Sequence, residues 1–427
     1  MVIVAALLLI PGKPGAPSPI PLRRPAATAC AEHWVGSWSA SPSGVSLTQP
    51  LADQTLRMII APHLGGSILR VHLSNRFGRA PVTLGPVTVG LAGSGASLVA
   101  GSERAVTFRG SSSVTIPVGA EALSDPVSLR FGAFRDLAIS VYVPGLVADP
   151  DEHLSTRQTS YLSPRGSGDH AAQGSPTAFS RKTTQVFSTG WYFLDGVDVT
   201  APGATGAVVA FGDSITDGYQ AKRSGLEQLS TIDTNGRYPD DLERRLIAAK
   251  IPLSVLNAGI GANQLLHSAL PVAGPSGLSR FAADALAQAG VRDVIVLEGI
   301  NDIAARAGAS KLIAAYEELI SRAHAAGVAI QLGTLTPTGG AASPAYAVAA
   351  ATSVRQQVNH WIRSQRFSDG IVDFDASVRD PHDPNAITPA YDGGDGVHLD
   401  LAGYRAMASA VNLRTLARPN CIPAQRP

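Results

Sequence analysis

Two different periods divide the chain. From about residue 34 to 200, apolar positions alternate with polar ones or cluster as short β-branched runs. These include SILRVHLS (67–74), VTLGPVTVGL (82–91), SVTIPV (113–118), VSLRF (127–131) and LAISVYVPG (137–145). Gly, Pro, Asn and Asp interrupt them at short intervals, and no stripe at helical spacing occurs. Many short strands with frequent turns predict an antiparallel sandwich or jelly roll. The polar stretch 150–185 reads as a long connection, and GWYFLDGVDV (190–199) as a last strand.

From about residue 205 the pattern alternates between buried-strand runs and helical stripes. The predicted strands are AVVAFGD (207–213), LSVLNAG (253–259), RDVIVLEG (292–299), VAIQLGTLTP (328–337) and IVDFD (371–375). Between and after them lie the predicted helices YPDDLERRLIAAK (238–250), LSRFAADALAQAG (278–290), SKLIAAYEELISRAHAAG (310–327), AVAAATSVRQQVNHWIRSQ (347–365) and LAGYRAMASAVNLRTLA (401–417). In the third, Leu312, Ile313, Tyr316, Leu319, Ile320 and Ala323 fall on one face, and Gly327 suits its end. Strands alternating with helices predict an α/β fold, a flavodoxin-like five-stranded parallel sheet with ligands at the carboxyl ends of its strands. The expected organisation is a signal-like segment and linker (1–31), a β-sandwich domain (32–203), an α/β domain (204–418) and a tail (419–427).

Composition adds limits. With 45% hydrophobic residues the chain can bury two cores, and a net charge of +1 offers no general attraction to nucleic acid or anionic membrane. The apolar start MVIVAALLLI is ten residues long, half of the ~20 needed to span a bilayer, so no integral membrane span is expected. It suits the apolar region of an export signal, although no basic residue precedes it and the nearest small-x-small site, Ala27-Thr28-Ala29, lies far downstream. The expected location is secreted or cell envelope. Two cysteines, Cys30 and Cys421, flank the folded part. They read either as free thiols or as a disulfide tying the ends together, and their spacing supports no zinc site.

The candidate chemistry sits where the fold class puts it. Ser214, in FGDSITDGY (211–219), directly follows the first predicted strand of the sheet. A serine hydroxyl needs a base to take its proton, usually a histidine held by a carboxylate. GGDGVHLDLAGYRAMA (393–408) supplies Asp395 and His398, three residues apart before a helix. An acyl-transfer site also needs donors aimed at the oxyanion. Candidates are the backbone N–H of Ser214, the side-chain amide of Asn301 in LEGINDIA (297–304), and the Gly-rich loop of LNAGIGANQLL (256–266).

These blocks, in this order, resemble the SGNH hydrolases, or GDSL esterase/lipase family, over roughly residues 205–417. FGDSITDGY matches its first block, GIND its Asn block and DGVH its Asp-x-x-His block. The resemblance implies Ser214 as nucleophile, His398 as base and Asp395 as its orienting acid. It implies an oxyanion hole from Ser214, Asn301 and the loop after Asn257. Aligning that loop puts Ala262 where the family usually has glycine. Alanine keeps the N–H, but at a cost if the position needs φ > 0. From HWVGSWSASP (33–42) onward, the first half resembles the β-sandwich that precedes the catalytic domain in some secreted members.

Other candidates read as structural. Asp213 and Asp302 suit bonds to nearby backbone N–H groups, His63 and His72 lie on strands or turns, and Trp191, Tyr192 and Phe193 suit a core. The remaining histidines show no metal-ligand spacing, so neither metal nor cofactor is expected. The expected activity is a serine esterase forming an acyl-enzyme with an acylated carbohydrate or a lipid ester, with deacetylation of carbohydrate as one reading and a lipase- or phospholipase-type acylhydrolase as another. Transfer of the acyl group to a sugar hydroxyl would use the same residues. A glycan-binding protein with an inert hydrolase-like domain is the rival of another class.

Overall fold

The computed structural model describes residues 31–46, 50–181, 190–221 and 231–417. The apolar start, Cys30 and Cys421 lie outside the described residues. No described helix is long and apolar enough to cross a membrane.

The first half builds two larger antiparallel sheets. One orders the strands His33–Ser39, Leu194–Ala201, Gly66–Asn75 and Val127–Phe131, with Ala120–Leu123 also pairing with Gly66–Asn75. The other orders Ser180–Arg181, Ser160–Leu162, Gln54–Ile60, Leu137–Val143, Val87–Leu91 and Arg104–Val106. Period-two alternation turns Leu69, Val71 and Leu73 of the first sheet toward Leu56, Met58, Ile139 and Val141 of the second, in one core. On the opposite face, Arg70 Nε and His72 Nε2 both donate to Asp198 Oδ2 at 2.8 Å, so His72 is structural as expected. Trp191, Tyr192 and Phe193 are buried in the same core.

Two readings need correction here. The 190–199 run is broken at Phe193, whose φ of +59° splits it into Gly190–Tyr192 and Leu194–Ala201. The polar stretch 150–185 is not a plain connection. It contains the strands Asp151–Leu154, Ser160–Leu162 and Ser180–Arg181, and the segment Ser155–Thr159 is almost wholly buried. Asp151–Leu154 sits between Gly190–Tyr192 and Gly44–Val45 in a small third sheet.

The second half is a parallel sheet of β1 (Gly206–Gly212), β2 (Leu253–Gly259), β3 (Val291–Leu297), β4 (Ala329–Gly333) and β5 (Gly370–Val372). Its spatial order is β2-β1-β3-β4-β5, the expected flavodoxin-like arrangement. Every residue of β1 is buried, because helices cover both faces. Helix Ala309–Ala325 buries Leu312, Tyr316, Leu319, Ile320 and Ala323 of the stripe read from sequence, while Ile313 is only half-buried. The run 278–290 forms the short helix Gly277–Phe281 and a π turn, Ala282–Leu286. The last helix ends at Ala410, before the Asn412 side chain accepts the Arg414 N–H in a local turn.

The two halves join along β2, an outer strand of the parallel sheet. Strand His33–Ser39 lies against it so closely that a Cβ on Gly36 would come within 2.5 Å of Leu256. Its backbone carbonyls are taken by the first half. Ser39 Oγ donates to Asn257 O (3.1 Å) and His63 Nδ1 to Val255 O (2.6 Å). An outer strand whose polar groups would otherwise be stranded is thereby satisfied and covered.

Candidate active site

β1 delivers the serine. Gly212 allows a close turn: a Cβ there would stand 2.2 Å from Leu297 O of the neighbouring strand. Asp213 then caps the helix Ser214–Asp217, its Oδ1 accepting the Ile215 N–H at 2.9 Å, the structural role expected of it. Burial pushes the Asp213 carboxyl up to about 7, with the Ile215 N–H and the charge of His398 acting in the other direction. Ser214 occupies the first helical position, where the backbone N–H has no intrahelical partner.

The loop before helix Leu401–Ala410 brings the other two groups to it. Ser214 Oγ lies 2.8 Å from His398 Nε2, and His398 Nδ1 lies 2.7 Å from Asp395 Oδ2. The second carboxylate oxygen accepts the N–H groups of Val397 (3.0 Å) and His398 (2.8 Å). Burial works against the Asp395 charge, but the His398 ring and these N–H groups outweigh it and hold the carboxylate below its usual range. An ionised Asp395 fixes the proton on Nδ1 and leaves Nε2 to accept from the serine. The Tyr219 ring packs edge-on against the imidazole at 4.6 Å.

The candidate oxyanion donors stand at the next strand ends. Asn301 lies in the turn Ile300–Ala304 after β3, its Nδ2 donating to Asn263 O at 2.8 Å. Ala262 follows β2 and has φ +57°, so the position does require φ > 0 and the alanine bears that cost. Its N–H and that of Ser214 have no partner among the described residues. Asp302 holds this loop, its carboxylate accepting Leu265 N (2.7 Å) and Leu266 N (2.9 Å), again the expected structural part.

One buried guanidinium ties these strand ends together. Arg280 donates to Gly212 O (2.8 Å), Ala258 O (2.7 Å) and Asn263 Oδ1 (2.8 Å), with Glu298 at 3.2 Å and Asp284 at 3.3 Å. Arg76 of the first half reaches the same Asp284 at 2.6 Å. β1, β2 and the loop carrying Ala262 thus share one cationic anchor.

Ser214, His398, Asp395, Ala262 and Asn301 all line one pocket of about 260 Å³. Sequence reasoning did not single out the other walls. Leu154 and Ser155 come from the first half, Val272 from the loop after β2, and Tyr346 from the turn Pro344–Ala347. Ser155 has φ +67° and Arg157 φ +54°, two left-handed non-glycine residues in the buried segment beside the pocket. His153, at the head of that segment, bonds Asp217 at 3.2 Å, three residues past the serine. Among the described residues no cluster of His, Cys, Asp or Glu could hold a metal ion.

A hydroxyl, an imidazole and a carboxylate stand in series here, with N–H donors around the hydroxyl, the arrangement that activation of a serine hydroxyl requires. Residues 210–406 match the GDSL-like lipase/acylhydrolase family, and the second half of the chain is a domain of that family. Solved structures similar to the chain include a carbohydrate acetylesterase from Sinorhizobium meliloti, 16% identical, covering 48% of this chain and 96% of its own, with a TM-score of 0.38. An aryl esterase from M. smegmatis gives 16% identity, 48% and 96% coverage and a TM-score of 0.38. A GDSL-like lipase from Bacteroides thetaiotaomicron gives 19%, 48% and 84%, and 0.35. No curated protein matches the chain.

Proposed function

We propose that the protein is a serine esterase that cleaves uncharged carboxylic esters through an acyl-enzyme. The observation that carries this reading is the unbroken chain Ser214 Oγ–His398–Asp395, at 2.8 and 2.7 Å, inside a pocket. Ser214 Oγ attacks the ester carbonyl while His398 Nε2 takes its proton. The carbonyl oxygen gains charge and is held by the N–H groups of Ser214 and Ala262 and the Asn301 amide. The intermediate collapses, the C–O bond breaks, and His398 returns the proton to the leaving alkoxide. Water then adds to the acyl-enzyme by the same route and releases the acid and Ser214. Asp395 stays ionised and stabilises the imidazolium.

The pocket walls support the uncharged class. The described lining residues include Asp217 and Asp395 but no lysine or arginine, and Leu154, Val272, Tyr219 and Tyr346 supply apolar surface. Among the described lining residues, a carboxylate or phosphate on the substrate would meet two acids and no lysine or arginine.

The test is hydrolysis of chromogenic esters of increasing acyl length by the full chain, beside acetylated xylan and long-chain lipid esters. We expect turnover of the chromogenic esters and a stable adduct of a serine-directed phosphonate on Ser214. Ser214→Ala is expected to lose at least about 10⁴-fold in kcat. A tenfold loss or less would reject the assignment. Glycan affinity without adduct formation would favour the binding-protein reading.

A further inference from the structure

The Asn301 side chain carries more than one bond. Its Oδ1 accepts from the Tyr346 hydroxyl at 2.7 Å while its Nδ2 donates to Asn263 O at 2.8 Å. Oxygen and nitrogen of the amide are therefore told apart by their partners. Tyr346 offers a donor and Asn263 an acceptor, and a flipped amide would set two oxygens against each other. One Nδ2 proton goes to Asn263, which leaves the other for the pocket the residue lines.

Tyr346 is itself held in place. Its backbone carbonyl accepts from Thr338 Oγ1 at 3.2 Å, and Ala342, four residues earlier, donates its N–H to the Asp395 carbonyl at 2.9 Å. Segment 338–346 thus touches the loop of the orienting acid at one end and the Asn301 amide at the other. Burial pushes the Tyr346 hydroxyl above its usual value, so it remains a donor at neutral pH.

We propose that Tyr346 is a positioning residue that acts through Asn301, locking its carboxamide with one N–H toward the developing oxyanion. This rests on the reading of Asn301 as an oxyanion donor. The lock acts by orientation and by polarisation. A hydrogen bond accepted at Oδ1 draws charge from the amide and strengthens the N–H as a donor, as in any hydrogen-bonded chain. Without the hydroxyl the amide keeps its bond to Asn263 but loses the partner that fixes its plane. The loss is felt where charge builds, in the transition state, and little in substrate binding.

The experiment is a double-mutant cycle on the full chain with Tyr346→Phe, Asn301→Ala and the pair, reading kcat and KM on a chromogenic ester and the unfolding midpoint of each variant. Tyr346→Phe keeps the ring and removes one oxygen, so folding is preserved. It is expected to lower kcat about tenfold, the scale of one hydrogen bond, with KM changed less than about twofold. In the Asn301→Ala background the same change is expected to alter kcat less than about twofold, because the group it acts through is gone. Equal losses in both backgrounds, or a kcat for Tyr346→Phe within twofold of the parent, overturn the proposal. If Asn301→Ala leaves kcat intact while Ser214→Ala abolishes it, the oxyanion assignment falls and the proposal with it. If Asn301→Ala is impaired and Tyr346→Phe is not, only the lock falls. A drop in the midpoint of Tyr346→Phe that tracks its loss of activity in both backgrounds likewise overturns the lock.

Discussion

Ala262 carries a conflict between backbone and side chain. A φ of +57° costs an L-residue about 1 kcal/mol, which glycine would avoid. The reaction needs only the N–H, which alanine retains. Ala262→Gly is therefore expected to keep kcat within about threefold and not to lower the unfolding midpoint, the relieved strain offsetting the added freedom of the unfolded chain. Ala262→Pro removes the donor and forces φ to about −65°, so kcat is expected to fall about 10²–10³-fold. Steady-state kinetics of the two variants check this, and an active proline variant would take Ala262 out of the oxyanion hole. At this scale Ser214, Asn301, Asp395 and His398 were readable in the sequence because the chemistry demands those residue types in short, ordered blocks. Ala262 was readable only as a question about φ, which no sequence answers. Tyr346 gave no signal: one tyrosine in a Gly/Ala/Ser/Pro stretch acquires its role from the place where the loop sets its hydroxyl, 2.7 Å from Asn301.

Elements differ in how far their pattern betrays them. The strands of the parallel sheet stand out as apolar runs, and the helices carry stripes. Strand Gln54–Ile60 escaped because both its faces are covered and all seven residues are buried, which erases alternation. Its central Arg57 reads as a surface charge, yet it is fully buried and donates to Ser140 Oγ (2.8 Å) and to the carbonyls of Ala96 and Gln173 (2.6 Å each). Segment 151–159 escaped for a related reason: its polar residues look solvated but bond backbone and charges at the junction of the halves. The loop after β2 illustrates the opposite, a flexible-looking Gly/Asn stretch held by the Asp302 carboxylate and the Arg280 guanidinium. Asp302→Asn would replace one of its two acceptor oxygens by a donor facing a backbone N–H of Leu265 or Leu266. An N–H left unsatisfied in this buried place costs about 1–3 kcal/mol. The expected outcome is a lower denaturant midpoint together with a kcat reduced about tenfold and a nearly unchanged KM, because the loop carries Ala262, the proposed oxyanion donor. An unchanged kcat with a lowered midpoint would confine Asp302 to stability.

For the whole molecule the decisive question is what keeps the first half in the active-site wall, since Leu154 and Ser155 line the pocket only while the halves stay joined. Among the buried charge pairs that cross the joint is His63–Asp240. His63 Nε2 lies 2.9 Å from Asp240 Oδ1 and Nδ1 lies 2.6 Å from Val255 O, so both ring nitrogens face acceptors, the arrangement an imidazolium satisfies. Burial opposes that charge, but the bond to and the charges of Asp240 and Glu243 outweigh it and raise His63 above its ordinary 6.5, while Asp240, itself opposed by burial, is drawn below the usual carboxylate range by Arg237 and His63. Glu243, buried beside the pair and donated to by Val255 N, is pushed up to about 7. The sign follows from linkage. A histidine whose folded value exceeds its unfolded one contributes fully below about 6.5 and loses that contribution as pH rises through the folded value. Asp240 contributes above its ordinary range and loses it only in acid. The joint is therefore expected to be firmest in mildly acidic to neutral solution and to weaken toward alkaline pH. Unfolding midpoints of the parent and of His63→Gln between pH 5.5 and 9 measure this. The parent's advantage should be largest at the acidic end and shrink steadily upward. A gap of constant size across that range would mean that His63 is held neutral and that its pairing with Asp240 gives the joint no pH dependence.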